Sequence, residues 1–231
     1  MAGQKEITSD PIVDARAVAK TYRTKAAEVR AVRDATFALR ADEFVALTGP
    51  SGCGKSTLLN LLACVDSPTS GTIIIDGRDV SALSDDDLTR VRRERIGYVF
   101  QFFNLIPTMS VRENVELPLL LSGASRARAK AAVDTALERT SIADQASKLP
   151  AYLSGGQQQR AAIARAVVHG PALVLADEPT GNLDSATGDE ILGLLRSCAQ
   201  AGAAVLMATH SLEAASKADR RLHMRDGALE H

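Results

Sequence analysis

The stretch Gly49-Pro50-Ser51-Gly52-Cys53-Gly54-Lys55-Ser56-Thr57 constrains the fold of this chain more than any other. It follows the apolar run Phe44-Val45-Ala46-Leu47-Thr48 and leads into Leu58-Leu59-Asn60-Leu61-Leu62, so the order is strand, glycine-rich loop, helix. Glycines let successive backbone N–H groups turn toward one concavity, and a helix start adds partial positive charge there. In this context the pattern G-x-x-x-x-G-K-[ST] reads as a phosphate-binding loop, with Lys55 a mobile cation for the terminal phosphates and Ser56 a hydroxyl for Mg²⁺. The plainer alternative is a glycine-rich turn ahead of an ordinary helix.

A chain of 231 residues can bury a full core, as one large domain or one domain with an inserted lobe. A net charge of −1 leaves no global basic footprint, which argues against a dedicated nucleic-acid binder. Hydrophobic content of 45% with 24% charged residues is that of a soluble globular protein. No segment approaches the roughly 18 unbroken apolar residues of a membrane span. Residues 1–11 are polar and mixed in charge, without the apolar core of a signal peptide, so a cytosolic protein is expected. Cys53, Cys64 and Cys198 show no metal-ligand spacing and are expected as reduced thiols.

Along the chain, Ile12 to Val18 and Thr36 to Leu39 alternate like strands, with a charged loop between them reaching to about Arg30. Tyr22, one of three tyrosines in a chain without tryptophan, is either a packed strand residue or a base-stacking platform. Gly71 to Gly77 reads as a short hairpin strand. Ser84 to Arg95 reads as a helix with an acidic start and a basic end, the latter most simply solvated. Ile96 to Phe100 is a buried strand delivering Gln101 to its end. From Pro107 the pattern turns helical: Ala129, Ala132, Val133, Ala136 and Leu137 share one face, and Ser125 is a plausible cap. No β pattern interrupts this region, so a helical lobe is inserted in an α/β core.

Leu153-Ser154-Gly155-Gly156-Gln157 precedes a second long helix, Gln158 to Val168, and offers a hydroxyl and free N–H groups at a helix start. A cap plus a flexible turn explains it equally well. Ala172 to Ala176 is a continuous apolar strand ending in Asp177-Glu178. Two adjacent carboxylates there are costly to desolvate unless a cation joins them; Asp177 suits Mg²⁺ through water, and Glu178 the attacking water. Ser185 to Ala201 is an amphipathic helix stopped by Gly202, and Ala203 to Ala208 a buried strand with His210 just past its end. Lys55, Gln101, Asp177, Glu178 and His210 thus gather at or beyond strand ends, where open α/β sheets bind ligands. That convergence points to an Mg-dependent nucleoside-triphosphatase.

With Leu153 to Gln157 lying between the phosphate loop and the Asp177-Glu178 strand, the chain resembles an ABC-transporter ATPase subunit, from about Ile12 to Leu229. The runs Val99 to Val115 and Ala176 to Asp184 resemble its macrolide-exporter and lipoprotein-release branch, with the bacterial cell-division ATPase a near relative. The resemblance implies one α/β domain: a P-loop core with a mainly parallel sheet, an N-terminal antiparallel β subdomain, and a helical subdomain at about 107–160. It implies ATP and Mg²⁺ as ligands. Tyr22 would stack on adenine, Gly49 to Thr57 would hold the phosphates, and Ser56, Gln101 and Asp177 would serve Mg²⁺. Gln101 would also sense the membrane partner. Glu178 would be the base, His210 would contact the γ-phosphate, and Asp184 would cross to a second subunit.

Each site would be composite, with Ser154, Gly155, Gly156 and Gln157 supplied by the other copy of an ATP-dependent, head-to-tail homodimer. The output would go to a separate integral-membrane permease, placing the protein on the cytoplasmic face of the inner membrane, with no nucleic acid expected. The rival readings are an ATPase head of a nucleic-acid maintenance complex and a soluble translation or repair ATPase. Heads of the first kind carry a long coiled coil or zinc insertion between the two motifs. Here Lys55 and Ser154 are 154 − 55 = 99 positions apart, without heptads or paired cysteines.

Overall fold

A computed structural model describes residues 10–23 and 28–230. The chain enters through a long antiparallel hairpin, β1 (Val13–Arg23) and β2 (Glu28–Leu39). Strand β3 (Phe44–Thr48) and helix α1 (Lys55–Leu62) follow, and then β4 (Ser70–Ile75) returns to pair with the other edge of β1, with the two-residue β5 (Arg78–Asp79) beyond it. These four strands form one antiparallel sheet in the order β2-β1-β4-β5.

The hairpin is longer than its sequence pattern suggests. β1 continues to Arg23 and β2 begins at Glu28, so residues 28–30 are strand and not charged loop. Register shifts between Ala15 and Val18, and again between Val18 and Thr21, reset the alternation midway, with Ala17 left-handed at φ 49°. Such a bulge hides a period of two from the sequence. Residues 24–27 of the expected loop and 1–9 of the polar N-terminal stretch lie outside the described residues.

Helix α2 (Asp85–Arg95) leads into β6 (Ile96–Val99), and three helices follow: α3 (Val111–Leu121), α4 (Arg126–Arg139) and α5 (Gly155–Val167). Then come β7 (Leu173–Asp177), α6 (Ser185–Gln200), β8 (Ala204–Thr209), α7 (Leu212–Ser216) and the closing hairpin of β9 (Arg220–Arg225) and β10 (Ala228–Glu230). The second sheet runs β10-β9-β3-β8-β7-β6, parallel throughout except for the β9–β10 edge.

Its central strands are apolar without interruption because both faces are covered. Val45, Leu47, Leu173, Leu175 and Leu206 face α1 and the antiparallel sheet. Their neighbours Phe44, Ala46, Val174, Val205 and Met207 face α5 and α6. The helical stretch has a core of its own, where Val111, Val115, Ala129, Val133, Leu137 and Ala164 pack together. Fully burying one such valine or leucine is worth about 1.5–3 kcal/mol.

The basic end of α2 is docked rather than simply solvated. Arg92 donates to the Cys64 carbonyl, Arg93 Nη1 to the Leu121 carbonyl at 3.1 Å, and Arg95 pairs with Asp76 at 3.0 Å. These cations satisfy the C-terminal dipole of α2 and also tie it to three neighbouring segments.

Helices α2 to α7 each begin on a serine or aspartate whose side chain accepts an N–H of the first turn: Ser84, Ser110, Ser125, Ser154, Asp184 and Ser211. Among the described residues, α1 alone starts without a side-chain cap. Its first N–H groups are left for something else, and that end of α1 is where the site lies.

Candidate functional site

The loop ahead of α1 holds its shape through glycine and close approach. Gly49, Gly52 and Gly54 have φ of 150°, 78° and 110°. A side chain at Gly49 would collide with the Met224 carbonyl of β9, and one at Gly54 with the Ala31 carbonyl of β2. The loop is therefore wedged between a strand of each sheet, and the Gly227 N–H donates to the Cys53 carbonyl at 3.0 Å. Lys55 is buried, its ammonium donating to the carbonyls of Gly49 (2.7 Å) and Pro50 (3.1 Å).

Around this loop opens a cavity of about 900 Å³. Its lining brings together the expected Tyr22, Ser51 to Thr57, Gln101, Glu178 and His210. Gln101 follows β6, Glu178 follows β7 and His210 follows β8, so three parallel neighbours end on one wall. His210 Nδ1 lies 2.9 Å from Glu178 Oε1. Glu178 sits at φ 47°, a left-handed conformation for a non-glycine residue, with its N–H donating to the Ala208 carbonyl at 2.9 Å. Strain of this kind costs on the order of 1–3 kcal/mol.

Asp177 stands behind the loop. Burial raises its carboxyl above the usual range, the Ser56 hydroxyl hydrogen-bonded to it pulls it down, Glu178 raises it and Lys55 lowers it. Among the described residues no three His, Cys, Asp or Glu side chains cluster as a metal cage. A hydroxyl and a desolvated carboxylate beside a phosphate loop instead form the sparse, all-oxygen donor set that suits Mg²⁺ completed by phosphate oxygens and water.

The residues from Ser154 to Gln157 lie elsewhere. Ser154 and Gln157 close a capping box on α5, with Ser154 N–H to Gln157 Oε1 at 3.0 Å and Gln157 N–H to Ser154 Oγ at 3.3 Å. None of the four lines the cavity. Asp184 caps α6 through Thr187, which donates from its N–H (3.0 Å) and hydroxyl (2.7 Å) and holds the carboxyl below its usual pKa. Asp184 shares a second cleft, of about 290 Å³, with Glu178 and His210.

Sequence reasoning missed the far wall of the cavity: Val29, Arg30, Ala31 and Arg33 from β2, and Asp226 and Gly227 from the β9–β10 turn. The turn carried a signal, since Asp-Gly between two strands is a tight-hairpin dipeptide. The β2 residues carried none, because their strand was hidden by the bulge. Val29 is the cross-strand partner of Tyr22 and extends the same surface.

Fold and site together define a nucleotide-binding protein of the ATP-binding-cassette class. Residues 32–181 match the family described as ABC transporter, and the chain belongs to that family. It is 44% identical over 219 residues to the macrolide export ATP-binding/permease protein MacB of Brucella melitensis, covering 95% of this chain and 34% of that protein. It is 46% identical over 220 residues to an uncharacterized ABC transporter ATP-binding protein of Mycobacterium tuberculosis, covering 95% of this chain and 89% of that one. The chain thus spans about a third of the length of the MacB relatives it matches. Among solved structures it resembles the ATP-binding cassette MJ0796, seen as a dimer in a post-hydrolysis state bound to ADP and Pi, with a TM-score of 0.87, 40% identity, and coverage of 95% of this chain and 97% of that one. No helix among the described residues is long and apolar enough to cross a membrane.

Proposed function

We propose that this chain forms one domain, an Mg-dependent ATPase with its helical subdomain at about 107–160, and that it drives a transmembrane permease. The observation that carries the reading is the Glu178–His210 pair facing the phosphate loop across one cavity. Tyr22 stacks the adenine. The loop N–H groups and Lys55 hold the phosphates, which requires the ammonium to leave the Gly49 and Pro50 carbonyls. Ser56, Asp177 and Gln101 would hold Mg²⁺, which would supply charge neutralisation to the phosphates. Glu178 accepts the proton of the attacking water, and His210 orients Glu178 and the γ-phosphate.

Ser154 to Gln157 and Asp184 act on the nucleotide of a second copy, so ATP joins two chains head to tail. Their position outside this chain's own cavity supports that reading, as does the dimeric state named for MJ0796. The ATP-binding/permease name of the MacB relatives supports a permease partner, and with it a place on the cytoplasmic face of the inner membrane. The test is Glu178→Gln. We expect ATP binding to persist, phosphate release to fall by two to four orders of magnitude, roughly what one acid–base group supplies, and a dimer to accumulate with ATP. Undiminished phosphate release would remove Glu178 from this role.

A further inference from the structure

Tyr22 is held from behind by a charged network that no sequence motif announces. Its hydroxyl donates to Asp66 Oδ2 at 2.8 Å. Asp66 Oδ1 accepts from Lys20 Nζ at 2.5 Å and from the Ser67 N–H at 2.8 Å. Lys20 Nζ also donates to the Ser67 carbonyl at 2.8 Å and lies 5.0 Å from the Tyr22 ring centroid. Tyr22 lines the cavity; Lys20 and Asp66 do not. The cation therefore backs the ring while leaving its cavity side open.

Asp66 is also fastened to α1. Its N–H donates to the Asn60 carbonyl at 3.3 Å, and α1 begins at the phosphate loop. The base end and the phosphate end of the site are thus referenced to one helix of eight residues, about 12 Å long. An aromatic ring that is 39% exposed at a strand end has freedom about χ1 that stacking must otherwise remove. A carboxylate with three donors removes it in advance, and charge-assisted bonds hold direction better than neutral ones.

We propose that Asp66 and Lys20 are positioning residues that preorganise Tyr22 as the base platform, so that the spacing between base and triphosphate is set through Asp66. This rests on the reading of Tyr22 as the stacking residue. The network lowers the cost of ordering the ring on binding and does not touch the reacting atoms.

The test compares binding of ATP with that of inorganic triphosphate, which has no base, for Asp66→Ala, Asp66→Asn, Tyr22→Ala and the double variant Asp66→Ala/Tyr22→Ala. Asp66→Ala should weaken ATP roughly tenfold, within the range of one base stack. Triphosphate binding should stay within about twofold, and the double variant should bind ATP no more weakly than Tyr22→Ala, because coupled residues are not additive. Asp66→Asn, which keeps an acceptor for the Tyr22 hydroxyl, should fall between. In hydrolysis the loss should appear in KM and not in kcat. Equal losses for ATP and triphosphate, or a full further loss in the double variant, would overturn the proposal. Unchanged ATP affinity in Tyr22→Ala would remove the stacking reading and this inference with it. A loss in Tyr22→Ala with none in Asp66→Ala would remove the positioning role alone.

Discussion

Asp177 shows how a single side chain is kept costly for a purpose. Burial first, and Glu178 beside it, push its carboxyl up, while Ser56 and Lys55 only partly offset them. Folding therefore favours the neutral form. Its contribution to stability is full below the ordinary carboxylate value of 3.8 and is lost as pH rises through the raised one. Asp177→Asn should consequently melt higher than the parent at pH 7 without nucleotide, while losing Mg-dependent hydrolysis; a lower melting temperature would contradict the sign. Gly54 gives the opposite case. At φ 110° and against the Ala31 carbonyl, Gly54→Ala should lower the melting temperature and abolish ATP binding in a titration, because strain and collision act together. The residue types of this site were legible: a lysine, two carboxylates and a histidine gathered at strand ends cost too much to desolvate for packing alone. The left-handed backbone of Glu178 was not, since it depends on how the segment after β7 meets Ala208 of β8.

At the scale of elements, α5 is the part that links the loops. Gln159 is fully buried, and its amide donates to the carbonyl of Pro179 at 2.8 Å and of Phe100 at 3.5 Å. One turn and a half later, Arg165 donates to the carbonyls of Phe103 (2.8 Å) and Asn104, both left-handed. One helix thus holds the segment after Gln101 and the segment after Glu178, while its own start carries Ser154. Arg165→Met keeps the apolar bulk and removes the donors. It should cost about 2 kcal/mol by thermal or urea unfolding, the scale of charged hydrogen bonds, and should lower kcat more than it alters ATP affinity. An unchanged kcat would mean that the segment after Gln101 holds its shape without α5. Helices α2, α4 and α6 were readable because their caps are local: a serine or aspartate and a 3.6-residue period sit within one stretch of sequence. Helix α5 begins at Gly155, ahead of the expected Gln158, because Ser154 caps it and draws the two glycines into its first turn. The β1–β2 hairpin was not, because bulges and cross-strand partners such as Tyr22 and Val29 are set by pairing at a distance. Asn114 was missed for the same reason. Buried within α3, it ties the preceding loop through the Ile106 N–H and the carbonyls of Ile106 and Met109.

For the molecule as a whole, the proposed composite site has an arithmetic test. A chain with Lys55→Ala and one with Ser154→Arg should each be nearly inactive alone. Mixed in equal amounts with ATP, half of the dimers would pair the two lesions in one site and leave the other intact. About a quarter of the parent rate should return. No recovery, with both variants folded by melting, would mean that each chain completes its own site.

The wedge that shapes the phosphate loop bears on how the protein is made. Residues 49–57 are synthesised well ahead of β9 and the Gly227 turn against which they rest, which come about 220 − 49 = 171 positions later. At roughly 5–20 residues per second that is a wait of about 10–30 s. Through that interval the loop has neither its Met224 wall nor its bond from Gly227. A nascent chain should therefore acquire nucleotide affinity abruptly, as β9 and β10 emerge, and ATP would act as an inspector of cassettes in which that hairpin has docked.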